Sequence, residues 1–209
     1  MKNKLSYIFF LSLYFFVNIT LRAQSSGAEF AKIAEEKEKA EDWENALYNY
    51  SRAVGFETKN TQYLLKRGLM FLKTDRPRKA LSDFKEVEKL DKTSAEAFHL
   101  KAVALDSLRN FDLSRREYVK AIKLSGNNKN PQLYISRGNS FLLQKDYNNA
   151  VSNLNVGIQS DRKNGEAYYL RGVARFHLVD SNGACDDWKL SKELNHKKGE
   201  AYYKKNCQQ

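Results

Sequence analysis

Three histidines, two cysteines and scattered acids are the residues from which chemistry could be built. His99, His177 and His196 share no HExxH pair, and the chain has no CxxC, no GxSxG turn and no glycine-rich phosphate loop. Hydrolytic zinc, dithiol redox, acyl-transfer and nucleotide chemistry therefore lack the spacings they need. Ser140 follows Gly138-Asn139 but sits inside a helical pattern, where packing explains it better than nucleophilicity. Cys185, Asp186, Asp187 and His196 come nearest to a metal set, yet they lack ligand spacing and read as a solvated helix face. The chain reads as noncatalytic, with no cofactor and no metal.

The elements that carry these residues repeat. Gly165-Glu166-Ala167-Tyr168-Tyr169 recurs as Gly199-Glu200-Ala201-Tyr202-Tyr203, a shift of 34 residues, and internal periods of this size mark stacked repeats. The frames run 27–60, 61–94, 95–128, 131–164 and 165–198, with Lys129-Asn130 inserted between the third and fourth. The fourth residue of each frame is Phe30, Leu64, Phe98, Tyr134 or Tyr168, and the eighth is small: Ala34, Gly68, Ala102, Gly138 or Gly172. A second small residue follows at Ala46, Ala80, Ser114, Ala150 or Ala184, and four residues later comes Tyr50, Phe84, Tyr118, Leu154 or Trp188. Spacings of four place these pairs on one face of a helix, so each frame predicts an antiparallel helical hairpin that buries its apolar face only against neighbours. Only two prolines and ten glycines among 209 residues, 42% of them hydrophobic, agree with an all-α, well-packed chain.

The N-terminus is set apart. Lys2 and Lys4 precede an apolar run from Leu5 to Leu21, followed by Ala23-Gln24-Ser25-Ser26, the order of a secretory signal peptide over residues 1–23 with a short segment 24–26 after it. An uncleaved signal anchor is the alternative. The Ala23-Gln24 end resembles signal peptides of some Gram-negative bacteria, which implies a periplasmic or extracellular mature protein with no membrane span after cleavage. Removing Lys2, Lys4 and Arg22 leaves 33 basic against 25 acidic residues, a net charge of +8. Such a balance suits an anionic partner, although export disfavours nucleic acid.

The small and aromatic positions over residues 27–209 resemble the tetratricopeptide repeat. The resemblance implies an α-solenoid of five hairpins plus a capping helix at 199–209, and a noncatalytic scaffold that binds peptide or protein segments in a concave groove lined by first helices. Departures are Thr58, Lys92, Arg162 and His196 where a closing proline is common, and Lys37 where later frames have Phe71, Leu105 and Phe141. The polar first helix around Glu35, Glu36 and Glu38 suits an end cap.

If core takes positions four, eight and eleven of each first helix, the resemblance places the groove stripe at two, five, nine and twelve. That stripe includes Leu65, Leu69 and Leu72 in the second frame and His99, Val103 and Asp106 in the third. It continues through Ile135, Asn139 and Leu142 in the fourth and Tyr169, Val173 and Phe176 in the fifth. A hydrophobic or amphipathic segment is the implied occupant, anchored by Tyr169 and Phe176 with Asn139 bonding to its backbone. The alternatives are that the stripe is covered within the protein, or that the chain is a basic module meeting lipopolysaccharide or nucleic acid through second-helix cations such as Arg115, Arg116, Lys120 and Lys123. Position seven carries a cation in five first helices, Arg67, Lys101, Arg137, Arg171 and Lys205, and acids at Asp83, Glu117 and Asp187 offer internal partners.

Cys185 and Cys207 lie equally far from the turn at residue 196, which permits a bridge across an antiparallel hairpin. Cys207 also falls on the groove-facing stripe, so two free thiols remain the alternative. Similar final repeats of exported bacterial relatives, with a Cys before Asp-Trp and a closing Cys, imply the bridge.

Overall fold

Capping residues at regular intervals start the helices. The side chains of Asp42, Asn60, Ser94, Asn110, Asn130, Asp146, Asn164, Asp180 and His196 each accept a backbone N–H from the first turn that follows, satisfying donors that a helix start leaves unpaired. The structure, a computed structural model, describes residues 27–126 and 130–208. The expected signal peptide at 1–23 and the segment 24–26 lie outside the described residues, as does Lys129 of the insertion.

Helices alone are present among the described residues, and they pair as hairpins in two compact units, one ending at Lys92 and one starting at Thr93. The first unit contains α1 (27–39), α2 (Trp43–Phe56), α3 (Thr61–Lys73) and α4 (Pro77–Leu90). The second contains α5 (Ala95–Ser107), α6 (Phe111–Leu124), α7 (Pro131–Leu143), α8 (Tyr147–Ser160), α9 (Gly165–His177), α10 (Ser181–Glu193) and the capping helix α11 (Lys197–Cys207). The cap starts two residues before position 199 because His196 is its N-cap, its Nδ1 accepting from the Gly199 N–H. Each odd-numbered helix from α3 to α9 packs on the even-numbered helix that follows it.

The pairing rests on small-to-large contacts at the repeat positions. A methyl group at Gly68 would run into the Phe84 ring, one at Gly138 would meet the Leu154 side chain at 2.7 Å, and one at Gly172 the Trp188 indole at 2.5 Å. Phe84, Leu154 and Trp188 are all buried. Ala34 and Tyr50 share one core cluster in the first hairpin. These large buried side chains contribute apolar burial that holds the two helices of each hairpin together.

Cys185 and Cys207 form a disulfide with Cα atoms 5.8 Å apart, joining α10 to α11. The hairpin register therefore places both thiols on facing sides.

Candidate functional site

Three of the five position-seven cations are answered from inside. Arg67 donates two hydrogen bonds to Asp83, at 2.6 and 2.8 Å. Lys101 lies 3.0 Å from Glu117, with both side chains nearly covered. Arg171 donates to both oxygens of Asp187, at 2.6 and 2.9 Å, and to Asn155 Oδ1 at 2.7 Å. Each acid comes from the second helix of the cation's own hairpin. Arg175, at the eleventh place of the fifth frame where the second to fourth frames put apolar residues, adds a bond to Asp187 at 3.0 Å. Bidentate pairs like those of Arg67 and Arg171 are short and directional, and these acids neutralise Arg67, Lys101 and Arg171.

Position five of the stripe also turns inward, which corrects the expected groove. Leu65 and Ile135 are buried at 4% and 1% exposure. Gly157 in α8 gives Ile135 its room, since a methyl group there would meet Ile135 Cγ1 at 2.7 Å. His99 shares a 2.9 Å hydrogen bond with Ser136 of α7 and lies beside the Tyr118 ring; burial pulls its imidazole down to about 4, so it is neutral at pH 7. Tyr169 packs against Tyr202 and His196, and its carbonyl accepts from Trp188 Nε1. Burial, then its contact with Tyr202, pushes its phenol up to about 12. These four side chains hold helices together and present little to a ligand.

Position twelve divides. Asp106 is buried, accepting from Tyr118 Oη at 3.0 Å and from Ser140 Oγ at 2.8 Å; burial pushes its carboxyl up against the pull of those hydrogen bonds. Glu38 repeats the device, taking Tyr50 Oη at 2.9 Å and Lys66 Nζ at 3.2 Å. In both cases an acid ties its own second helix to the next first helix. Ser140 is therefore a structural hydroxyl.

What stays open is positions nine and twelve elsewhere. In the first unit Leu69 and Leu72 are half-buried. In the second, Val103, Leu142 and Val173 are half-buried, Asn139 is exposed, and Phe176 is 46% exposed while resting on Trp188. Of the second-helix cations, Arg115 pairs with Asp112 and Lys120 with Glu117 one turn away, whereas Arg116 and Lys123 are exposed. No group of three or more His, Cys, Asp or Glu capable of holding a metal occurs among the described residues. Asp187 is taken by two arginines and Cys185 by its bridge. No helix among the described residues is long and apolar enough to cross a membrane.

Hairpins in 34-residue register, closed by small-to-large contacts, define an all-α repeat fold of the tetratricopeptide type. Residues 95–128 match the family model of the tetratricopeptide repeat. Human serine/threonine-protein phosphatase 5 is 28% identical over 114 residues, 54% of this chain and 23% of that protein. The chain thus spans about a quarter of the curated relatives it matches. Among solved structures, a thermophilic tetratricopeptide protein of Thermus thermophilus, TTC0263, superposes with a TM-score of 0.79 at 12% identity, over 88% of this chain and 100% of that one. YrrB, a tetratricopeptide protein with an unusual peptide-binding site, gives 0.58 at 15% identity, over 90% and 97%.

Two features escaped sequence reasoning. Arg175 as a second ligand of Asp187 was signalled by a charge at an apolar repeat position. Arg137 stands apart from the rest of the ladder, and its signal was Asn153 in the place of Asp83 and Asp187.

Proposed function

We propose that this chain is a noncatalytic protein-interaction scaffold of the cell envelope, exported by the segment at 1–23. Its first helices hold a hydrophobic or amphipathic segment of a partner protein. The observation that carries the reading is the open apolar face of α9, where Phe176 remains 46% exposed one turn beyond half-buried Val173. Large apolar side chains left open along one helix face are characteristic of docking surfaces. In α7, Asn139 and Leu142 hold the equivalent places, so an apolar anchor and a backbone-bonding amide are both available. A likeness to YrrB, a tetratricopeptide protein with an unusual peptide-binding site, supports the same reading. Fractionation with signal cleavage mapped at the mature N-terminus tests the export half of the proposal. For the other half, Val173→Ser with Phe176→Ser should abolish crosslinking to the envelope partner that the unmodified chain captures, with helicity unchanged. Undiminished capture by the folded double variant would place the site elsewhere. Tyr169 is left intact in this test because its packing against Tyr202 makes it a structural residue.

A further inference from the structure

Arg137 is the one arginine of the ladder for which neither partner used by Arg171 exists. Where Arg171 finds Asp187 on its own second helix and Asn155 on the preceding one, Arg137 has Asn153 and Val119 at the corresponding repeat positions. Asn153 directs its amide to the Asn149 carbonyl. The Arg137 Nε is buried and has no hydrogen-bond partner among the described residues, an arrangement that folded proteins seldom leave unmatched. Its guanidinium lies near the Phe141 ring, 5.6 Å from the centroid, and borders an open cleft of about 540 Å³ between α6 and α7. Asp112, Arg115, Arg116 and Val119 complete the lining. Three arginines and one aspartate line the cleft, and the aspartate is already engaged by Arg115, so the cleft attracts an anion.

We propose that the α6–α7 cleft binds a carboxylate side chain presented by an acidic segment of a protein partner, with Arg137 as its principal ligand and Arg116 beside it. The chain itself indicates the chemistry. Arg67 and Arg171, at the same repeat position, are each met by a bidentate carboxylate, and the partner supplies in trans what those hairpins supply in cis. Val119, 52% exposed, offers an apolar wall for the methylenes of a glutamate, for which a phosphate has no use. Asp112 at the rim lowers the positive field, which suits a single negative charge better than a multiply charged anion. The proposal is independent of the first-helix face described above, since the cleft uses neither Val173 nor Phe176.

The test uses the full chain with a fluorescein-labelled peptide alternating Glu and Leu, its Gln counterpart, and inorganic phosphate at matched ionic strength. Anisotropy reads affinity, and the Nε–Hε resonance of Arg137 reads the contact. The Glu peptide should bind and move that resonance, and the Gln peptide should do neither. Arg137→Gln should weaken binding by about tenfold, the scale of one charge-assisted hydrogen bond. Asn153→Asp should weaken it as much, by giving Arg137 an internal carboxylate, while raising the thermal midpoint; Asn148→Asp, with the same charge change at an exposed site, should leave binding within twofold. Unchanged affinity in folded Arg137→Gln and Asn153→Asp overturns the proposal. So does phosphate that displaces the peptide at equal concentration and moves the same resonance, which would make the cleft a small-anion site.

Discussion

A buried charge pair matters most through what is left when one member is removed. Asp187 is 1% exposed and accepts from both Arg171 and Arg175, so Asp187→Asn strands two guanidinium groups, one of them with a side chain only 14% exposed. The loss should be about 3 kcal/mol or more, measured by urea unfolding. Asp83→Asn should cost less, because Arg67 is more exposed than Arg171 and is the only arginine on Asp83; equal losses would show that covering the pair is unimportant. His99 gives a pH signature. Burial holds its folded pKa near 4, below the unfolded value of about 6.5, so between these limits the unfolded chain binds the extra proton. Its contribution is complete above about pH 6.5 and is lost as pH falls towards 4, at up to about 1.4 kcal/mol per unit. His99→Gln should flatten that part of the stability profile, and parallel profiles would assign the slope to other groups. The ladder of cations was legible from spacing, as were the internal acids that meet Arg67, Lys101 and Arg171. The stripe was misread at position five because a helical period of 3.6 does not say on which side of the core line a neighbour packs. Ile135 shows this, since its burial depends on Gly157 in another helix.

At the scale of elements, the turns between first and second helices share a geometry that no residue type announces. Glu41, Asp75, Arg109, Lys145 and Val179 recur every 34 or 36 residues with φ between 56° and 63°. The next residue closes each turn with a backbone bond five residues back, as from Asp42 to Lys37, Asn110 to Leu105 and Asp180 to Arg175. This left-handed position commonly belongs to glycine, and the absence of glycine at all five kept the motif out of sight in the sequence. Hairpin packing imposes it on whatever side chain is present. Val179 carries the largest steric cost, being β-branched, at φ 63° and 87% exposed. Val179→Gly should therefore raise stability by about 1 kcal/mol, read from the denaturation midpoint. A destabilised variant would show that Val179 makes a favourable contact outweighing its backbone strain. The helices themselves were legible from the spacing of small and large residues, and the structure brings those positions together across each hairpin, Gly68 against Phe84 and Gly172 against Trp188.

For the whole molecule, the disulfide and the repeat order make stability a local property. The bridge closes a separation of 22 residues and joins α10 to α11, where the capping helix otherwise buries little beyond Gly199 and rests its own Tyr202 ring on those of Tyr169 and Trp188. Closing a loop of that length is worth about 3 kcal/mol in the chain-entropy model. In repeat folds stability is close to a sum of each repeat and its nearest-neighbour interface, so the loss on reduction should stay near the bridge. Cys185→Ser with Cys207→Ser, followed by amide hydrogen exchange, should release protection first in α11, then in α10 and α9. The amides of α2 to α4 in the first unit should keep their protection. A uniform loss across the chain would mean that the molecule unfolds as one cooperative body and that the bridge secures all of it. The equal distance of Cys185 and Cys207 from the turn at His196 permitted their pairing and the likeness of the final repeat implied it, whereas the direction of the Cys207 side chain depended on the rotation of α11 against α10. Ser191 Oγ occupies the space a Gly199 methyl group would need, so glycine at 199 lets the cap pack closely on α10, the helix to which the bridge joins it.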